Sequence, residues 1–352
     1  MRVCVSSLKF SPAHVSHMIA YAKLFREIGF EPFLWLEKNY EKMDLTNEFQ
    51  VVWYQGSIPD NADLLFFANN SLVNYRFFKE FVSKGSKAIY LYHEPWERFD
   101  KYLKEGFKQA LKATVGYYFS TKSLKYVTLV IVPSGYALKL YNKTCLKYNK
   151  NVVMIPLLFD DELDHKMNSN TKVHFSYIGH AVKGHMFREY IELIKTIYLK
   201  ESTITFEIAT RTDITKLLNH DRILLKMIDK GILIVSQGRP LTNEEINQAY
   251  ERSFCVWNVY RRSTQSGVLP KAFMFGTPVI ASNLGSFPEF VRDGENGYLV
   301  DDYSFESLYK KLILVNENIG IMSQNCRNTF EKTFYWKAQV DKMRQIIENV
   351  LK

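Results

Sequence analysis

Three stretches of this 352-residue chain hold residue types that suit ligand binding at predicted strand ends, the first two with groups for an anion such as a diphosphate. The first, residues 263–289, reads STQSGVLPKAFMFGTPVIASNLGSFPE. Its polar turn, Ser263-Thr264-Gln265-Ser266-Gly267, opens a predicted helix near Val268, and Pro270 fits the first turn, where a missing N–H costs little. Gly276 ends that helix and Pro278 forbids its continuation. Residues 279–281 read as a buried strand, and the turn 283–286 feeds a second helix start at Pro288-Glu289. Helix starts after strand ends expose backbone N–H groups that attract phosphate oxygens. An ordinary α/β unit with capped helices has the same pattern. The second stretch is Gly179-His180-Ala181-Val182-Lys183-Gly184-His185, after a predicted strand at 173–178. Lys183 is a loop cation close behind a predicted strand end, a place that suits an anionic ligand; a solvated loop lysine is the plainer reading. The third is His93-Glu94-Pro95-Trp96, where Pro95 stops a predicted strand at 87–92. The imidazole of His93 can exchange hydrogen bonds with a ligand hydroxyl or cap a loop.

Further cations and donors cluster at other predicted strand ends. Arg211 follows a strand at 203–209. Arg239 lies in the turn 236–240 after a strand at 232–235. Arg261 and Arg262 follow a strand at 255–259 and precede Ser263. The backbone N–H groups of Gln265, Ser266 and Gly267 form a nest ahead of a helix and suit phosphate oxygens better than these arginines. Gln265 and Glu289 are candidates for ligand hydroxyls, although Glu289 equally suits a helix first turn.

The elements that must position these residues alternate strand and helix. Strands are predicted at 2–8, 30–36, 63–68, 87–92, 127–132 and 152–155, with helices at 16–25, 72–82, 97–113 and 137–141. Ser16 is a candidate cap for the first helix and Ser134 for the last. Residues 37–60 read as irregular. This βαβ start lacks the G-x-G-x-x-G of a dinucleotide site. Its loop carries Ser11, Pro12, His14 and His17 instead; His14 and His17 read either as ligand neighbours or as helix-start surface residues. Residues 160–171 are polar, with four acidic side chains, and read as a linker. The expected organisation is one domain at 1–160, a second at 170–333, and a last helix at 334–352 that crosses back to the first.

Composition bounds the function. Hydrophobic residues make 47% of the chain, enough for full cores, and the 22 Tyr and 25 Phe read as core rings by default. A formal charge of +9 favours anionic partners. No nucleic-acid motif accompanies it, so nucleic acid is not expected. Cys4, Cys145, Cys255 and Cys326 form no C-x-x-C pair, which suits a reducing compartment. The N-terminus lacks a long apolar signal core, and no apolar run approaches the about 20 residues of a membrane span. A cytoplasmic protein is expected, with peripheral membrane contact. Within the predicted helix 97–113, one stripe is Phe99, Leu103, Phe107, Ala110 and Leu111, and another is Lys101, Lys104, Lys108 and Lys112. With Tyr117-Tyr118-Phe119, Lys122 and Lys125 following, it reads as a solvated face or as a face for an anionic membrane.

Residues 263–289 also carry a resemblance. Ala272, Gly276, Pro278, Val279, Ile280, Ala281, Gly285, Pro288 and Glu289 resemble the donor-site signature of the retaining family 4 glycosyltransferases, the group 1 type with a GT-B fold. The signature's two glutamates fall at Ser263 and Lys271, so the chain resembles a branch with a T/S-Q-S-G-V-L-P variant. Gly179, Lys183 and Gly184 match the phosphate loop, with His180 where the usual Arg stands; His180 then helps only as a weaker hydrogen-bond donor. Residues 294–300 match the D-G-x-N-G-x-L-V tail. The resemblance is specific after Val173 and loose before it. It implies two Rossmann-like domains facing a cleft, and transfer of a hexose or N-acetylhexosamine from a UDP- or GDP-sugar to a sugar acceptor, with retention and no metal or other cofactor. It places His93 near the transferred sugar, Gly179, His180 and Lys183 near the diphosphate, with the Lys183 ammonium against the developing leaving-group charge, and Arg239 in the turn near the base; Arg211 is a further cation that can supply the charge of the missing Arg. It further implies an acceptor on a lipid such as undecaprenyl diphosphate, in polysaccharide synthesis. The rival reading is a non-catalytic nucleotide-sugar or glycan binding protein with a degraded site.

Overall fold

The computed structural model describes residues 1–11, 14–43, 45, 48–69 and 73–350, and the backbone of residue 351. Pro12, and the start of the predicted helix at Leu72, lie outside the described residues. The chain forms two compact units, Met1–Asp160 with Lys332–Lys352, and Asp161–Glu331.

The first unit is built on seven parallel strands: β1 (Arg2–Ser7), β2 (Glu31–Leu36), β3 (Val51–Trp53), β4 (Leu64–Phe67), β5 (Lys87–Leu91), β6 (Leu129–Val132) and β7 (Val152–Met154). Their order is β3-β2-β1-β4-β5-β6-β7. The second has six: β8 (His174–Ile178), β9 (Thr205–Ala209), β10 (Leu233–Ser236), β11 (Ser253–Asn258), β12 (Val279–Ser282) and β13 (Gly297–Val300). Their order is β10-β9-β8-β11-β12-β13, again parallel throughout. Parallel strands are covered on both faces, which is why Leu64–Phe67 and Leu129–Val132 are continuous apolar runs, fully buried. In each sheet the chain builds outward to one edge, returns, and builds to the other. The return leaves a crevice beyond the strand C-termini, at β1/β4 and at β8/β11.

The rings fill the cores. Trp35 meets Phe77 edge-on at 5.1 Å in the first unit, and Tyr190 meets Phe175 at 5.2 Å in the second. The four cysteines are buried and free.

Several local expectations change. Residues 97–113 are not one helix but Phe99–Leu103 and Phe107–Leu124, broken at Gly106, whose φ of 133° a helix cannot use. Ser16 is not a cap; it lies inside the helix Val15–Glu27, entered through His14. The stretch read as irregular holds β3 and the 3₁₀ turn Lys38–Lys42. The last helix proper is Val340–Leu351, after a 3₁₀ turn at Trp336–Gln339. Ser134 caps its helix through Ala137 N at 2.9 Å. The acidic run is more than a solvated linker. Asp160 takes Lys23 at 2.6 Å and the Trp336 indole N–H at 2.9 Å within the first unit. Asp161 takes Arg327, and Glu162 takes Lys271 at 2.9 Å, within the second.

Candidate functional site

In the second unit the loops after β8 and β11 are tied together. Gly179 leaves β8 at φ 132°, and a Cβ there would be in contact with Val268 at 3.6 Å. The next carbonyl, of His180, accepts from Val182 N at 2.9 Å, from His185 Nδ1–H at 3.1 Å and from the Tyr177 hydroxyl. Three donors on one oxygen fix the loop. His185 stacks on Tyr260 at 4.0 Å, and Trp257 Nε1–H donates to the His185 carbonyl at 3.2 Å. From the other side, Arg261 N donates to the Gly184 carbonyl at 2.8 Å and Arg261 Nε–H to the Lys183 carbonyl at 3.3 Å. The Arg261 guanidinium closes on Glu189 at 2.6 Å, so it braces the loop.

Among the described residues, two cations of these loops remain uncommitted. Lys183 is exposed at the start of the 3₁₀ turn Lys183–His185, and its ammonium makes no hydrogen bond or ion pair. Arg211, after β9, makes none either. Burial, and then the charge of Arg211, hold the His180 imidazole below its usual pKa, so it is neutral at pH 7.

The turn after β11 is buried and rigid. Ser263 and Thr264 are buried. The Ser263 carbonyl accepts from Ser286 N at 3.1 Å, which joins this turn to the one after β12. Ser266 Oγ lies 3.2 Å from Asn258 Oδ1 and from the Tyr260 hydroxyl, and accepts from Val268 N at 3.2 Å. Burial pushes the Tyr260 hydroxyl up to about 12, so it keeps its proton. Ser263 Oγ and Asn258 Nδ2 are buried and bond nothing among the described residues. Buried polar atoms are almost always paired, so two orphans beside one turn suit a ligand. Glu289 is exposed in the short helix Phe287–Phe290, its N–H on the Ser286 carbonyl at 3.1 Å.

Arg239 stands apart. It follows the edge strand β10, two strands from β8, and its guanidinium closes on Glu245 at 2.9 Å inside the capping box of the helix Asn243–Arg252. That ion pair, formed because Glu245 is only six residues on, takes Arg239 out of the Lys183 group. At the two glutamate positions of the signature, Ser263 offers a hydroxyl, and Lys271 is held by Glu162, which also accepts from Asn247 at 3.0 Å.

In the first unit His14 and His17, read from the first loop, and His93, read from the end of β5, make one group. His93 Nε2–H donates to the Ala68 carbonyl, just past β4, at 2.8 Å. Its ring stacks on His14 at 4.8 Å, and His17 lies 5.9 Å from His14 and 6.0 Å from His93. His17 Nδ1–H donates to the Leu158 carbonyl at 2.9 Å. His14 Nδ1 is buried without a partner among the described residues. The loop carrying His14 is positioned by Tyr40, whose hydroxyl accepts from Ser11 N at 2.9 Å, and by Asn69, which donates to the Lys9 carbonyl at 3.0 Å. Burial, then the neighbouring His93, His17 and Lys9, hold His14 well below the usual imidazole pKa, and burial lowers His93. With Nε2 carrying the proton, His93 keeps Nδ1 as an acceptor. Among the described residues, no three His, Cys, Asp or Glu side chains converge as metal ligands.

Residues 172–318 match the family model described as Glycosyl transferases group 1. An uncharacterized glycosyltransferase of Methanocaldococcus jannaschii is 24% identical over 193 residues, 53% of this chain and 47% of that protein. The chain thus spans about half the length of that relative. The sucrose-phosphate synthase of Thermosynechococcus elongatus is similar in structure at a TM-score of 0.76 and 13% identity, covering 100% of this chain and 99% of that one. The pneumococcal O-GlcNAc transferase GtfA, solved with UDP and GlcNAc, is similar at a TM-score of 0.71 and 13% identity, covering 100% and 99%. Two parallel-sheet α/β units in this order, with these neighbours, give the chain the GT-B fold, and its residues 172–318 are similar to the group 1 glycosyltransferases.

Proposed function

We propose that the chain is a retaining glycosyltransferase that moves a hexose or N-acetylhexosamine from a UDP- or GDP-sugar to a sugar acceptor. The acceptor is lipid-linked, on undecaprenyl diphosphate or a similar carrier, and the product a surface polysaccharide such as O-antigen or capsule, made at the cytoplasmic side of the membrane. The observation that carries the reading is the β8/β11 switch of the second unit. There the loop of uncommitted Lys183, with Arg211 beside His180, adjoins a turn holding an unpartnered, buried Ser263 hydroxyl. The match of residues 172–318 to the group 1 family supports it, as does a structural neighbour solved with UDP and GlcNAc.

The chemistry follows from those groups. As the bond from the anomeric carbon to the diphosphate oxygen breaks, charge grows on the leaving diphosphate. Lys183 and Arg211 offset that charge, with the N–H groups of Gln265, Ser266 and Gly267 and the Ser263 hydroxyl binding phosphate oxygens. The acceptor hydroxyl forms its bond to the anomeric carbon on the same face and gives its proton to the departing diphosphate oxygen. His93, through Nδ1, accepts from a sugar hydroxyl. Two uncommitted cations meet the diphosphate charge, and the reading requires no metal or other cofactor.

The test is a titration of UDP, GDP, ADP and NAD into the wild type and Lys183→Ala, followed by nucleotide release from the UDP- and GDP-sugars. Selective binding of UDP or GDP, weakened in the variant, supports the donor site. No nucleotide binding overturns it. A second reading, a non-catalytic nucleotide-sugar or glycan binder, is favoured by Ser263 and Lys271 at the glutamate positions and by the pairing of Lys271 with Glu162. Tight nucleotide binding without sugar transfer would select it.

A further inference from the structure

The strap 161–172 is anchored along its length to the second unit. Arg327 holds Asp161 and Lys271 holds Glu162 at its start. Met167 packs on Gly276, where a Cβ would lie 2.5 Å from its Sδ. The turn Ser169–Thr171 is capped by Asn168, whose Oδ1 accepts from Asn170 N at 3.0 Å. At the strap's end the buried Lys172 ammonium donates to the Phe275 carbonyl and to Thr277 Oγ1, both at 2.8 Å, and to the Glu251 carbonyl at 3.4 Å. It thereby serves the C-terminal ends of the helices Asn243–Arg252 and Val268–Met274, where a cation is favoured. The anchored strap borders a cavity of about 470 Å³, within the about 300–1,000 Å³ of small-molecule sites. Lys172, Arg252 and Phe275 line it, so it lies at the N-terminal ends of β8, β11 and β12. The Lys183 loop follows the other end of β8, whose five residues span about 16 Å.

The lining carries uncommitted groups of opposite kinds. Lys166 is exposed, and its ammonium bonds nothing among the described residues. Arg252 gives Nε–H and Nη2–H to the buried Glu207 at 3.4 and 2.6 Å, and its Nη1 bonds nothing among the described residues. The Glu251 carboxylate makes no hydrogen bond among the described residues, with His165 Nε2 3.8 Å away. Gln248 commits its N–H to Glu244 at 3.1 Å and keeps Oε1, while Asn168 keeps Nδ2. Two cationic groups suit one anion, and a free carboxylate with two amides suits hydroxyls. The half-buried Leu163 and Met167 suit the C–H face of a sugar ring. A nucleotide fits badly. Phe275 is 1% exposed and offers no open ring to a base, and a polyphosphate would meet the Glu251 charge. We propose that this cavity binds a hexose phosphate, its phosphate on Lys166 and Arg252 and its hydroxyls on Glu251, Gln248 and Asn168. The site is separate from the Lys183 loop and goes beyond the transferase reading, and its test uses no nucleotide.

The experiment is calorimetric titration of the full chain with the 1- and 6-phosphates of glucose and N-acetylglucosamine, with glucose itself, and with inorganic phosphate. At least one hexose phosphate is expected to bind with a Kd of about 1 mM or tighter, and glucose and inorganic phosphate at least about tenfold more weakly. Lys166→Ala should weaken that binding by about tenfold. Glu251→Ala should weaken the hexose phosphate without weakening inorganic phosphate, a split that a general loss of structure does not give. Lys166 is exposed and the Glu251 carboxylate makes no hydrogen bond among the described residues, so an unchanged melting temperature separates lost binding from unfolding. Lys183→Ala should bind the hexose phosphate as the wild type does. No binding of any hexose phosphate at about 10 mM overturns the proposal. So does equal affinity for inorganic phosphate, which would reduce the site to an anion seat. Loss of binding in Lys183→Ala would move the ligand to the β8/β11 switch, and unchanged affinity in both Lys166→Ala and Glu251→Ala would remove it from this cavity; either result overturns the proposal. The nucleotide titration decides the transferase reading separately, whichever way these results fall.

Discussion

Gly285 and Ser263 are in backbone contact: a Cβ on Gly285 would lie 2.0 Å from the Ser263 carbonyl oxygen. The same oxygen accepts from Ser286 N at 3.1 Å, and Gly285 sits at φ 61°. The turns after β11 and β12 are thereby locked at a separation only glycine allows. Gly285→Ala should cost both the left-handed strain and the clash, about 2 kcal/mol or more. It should also weaken nucleotide binding by moving the Ser263 turn. Gly294→Ala is the comparison, since φ there is 76° but the nearest atom to a Cβ is 3.8 Å away. It should cost about 1 kcal/mol and leave nucleotide binding alone. Equal effects of the two in urea unfolding and calorimetric titration would dismiss the contact as the cause.

Much of the fold was legible because parallel strands are apolar throughout and their ends carry turn residues, as at Ile178-Gly179 and Pro278. The loop of Gly179 and Lys183 after β8 and the turn that leads into the helix Val268–Met274 were legible from their residue types. Commitments of long side chains were not. Nothing in the spacing of Arg211 and Arg239 says that one stays uncommitted while the other closes on Glu245, six residues on. Nor does spacing bring His14, His17 and His93 together: they meet because β1, β4 and β5 are neighbours. The orphaned Ser263 hydroxyl had no signal at all, since it depends on what the turn packs against. The stripe Phe99, Leu103, Phe107, Ala110 and Leu111 was periodic in the sequence, but periodicity does not say which way a side chain faces: Ala110 is buried while Phe107 and Leu111 are exposed.

Lys183 and Arg261 make a contrasting pair. Lys183→Ala removes an exposed, uncommitted ammonium, so stability should stay within about 0.5 kcal/mol while nucleotide affinity falls by about 10–100-fold, the range for a hydrogen bond to a charged group. Arg261→Ala removes a brace to Glu189 and to the Lys183 carbonyl. It should lower stability and affinity together. Thermal melts with and without UDP or GDP read both quantities. An unchanged affinity in Lys183→Ala would remove this lysine from the donor site.

The histidine group gives the first unit an acid limit. Burial and its neighbours lower the pKa of His14, and burial lowers that of His93, so both stay neutral in the fold where the unfolded chain takes up protons. Above the unfolded imidazole pKa neither state is protonated and the group contributes no pH dependence. As pH falls below about 6.5 the unfolded state gains protons first, and stability drops by up to about 1.4 kcal/mol per pH unit for each suppressed histidine. Urea unfolding between pH 7.5 and 5 should show that loss, and His14→Gln should make it shallower. His165, raised by Asp164 and Glu251, works in the opposite direction in the second unit, so the difference between wild type and variant is the quantity to compare. Parallel pH curves for the two would refute the role of His14.

Lys271 tests whether the signature's carboxylate can be restored. Its side chain is 9% exposed, and its ammonium lies 2.9 Å from Glu162, whose side chain also holds Asn247. Lys271→Glu would set two carboxylates where one ion pair stood, and removing one partner of a largely buried pair costs about 3–5 kcal/mol. The single variant should therefore lose stability. Lys271→Glu with Glu162→Lys reverses the pair and should recover most of it, since the two side chains keep their separation and exchange only their charges. If Lys271 occupies the place where the signature's second glutamate meets the nucleotide, the swapped pair should also bind UDP or GDP more tightly than the wild type. Recovered stability with no gain in affinity would show that position 271 serves the Glu162 contact and does not reach the ligand. The Ser263 hydroxyl and the N–H groups of the turn would then carry the recognition that the signature's glutamates supply elsewhere.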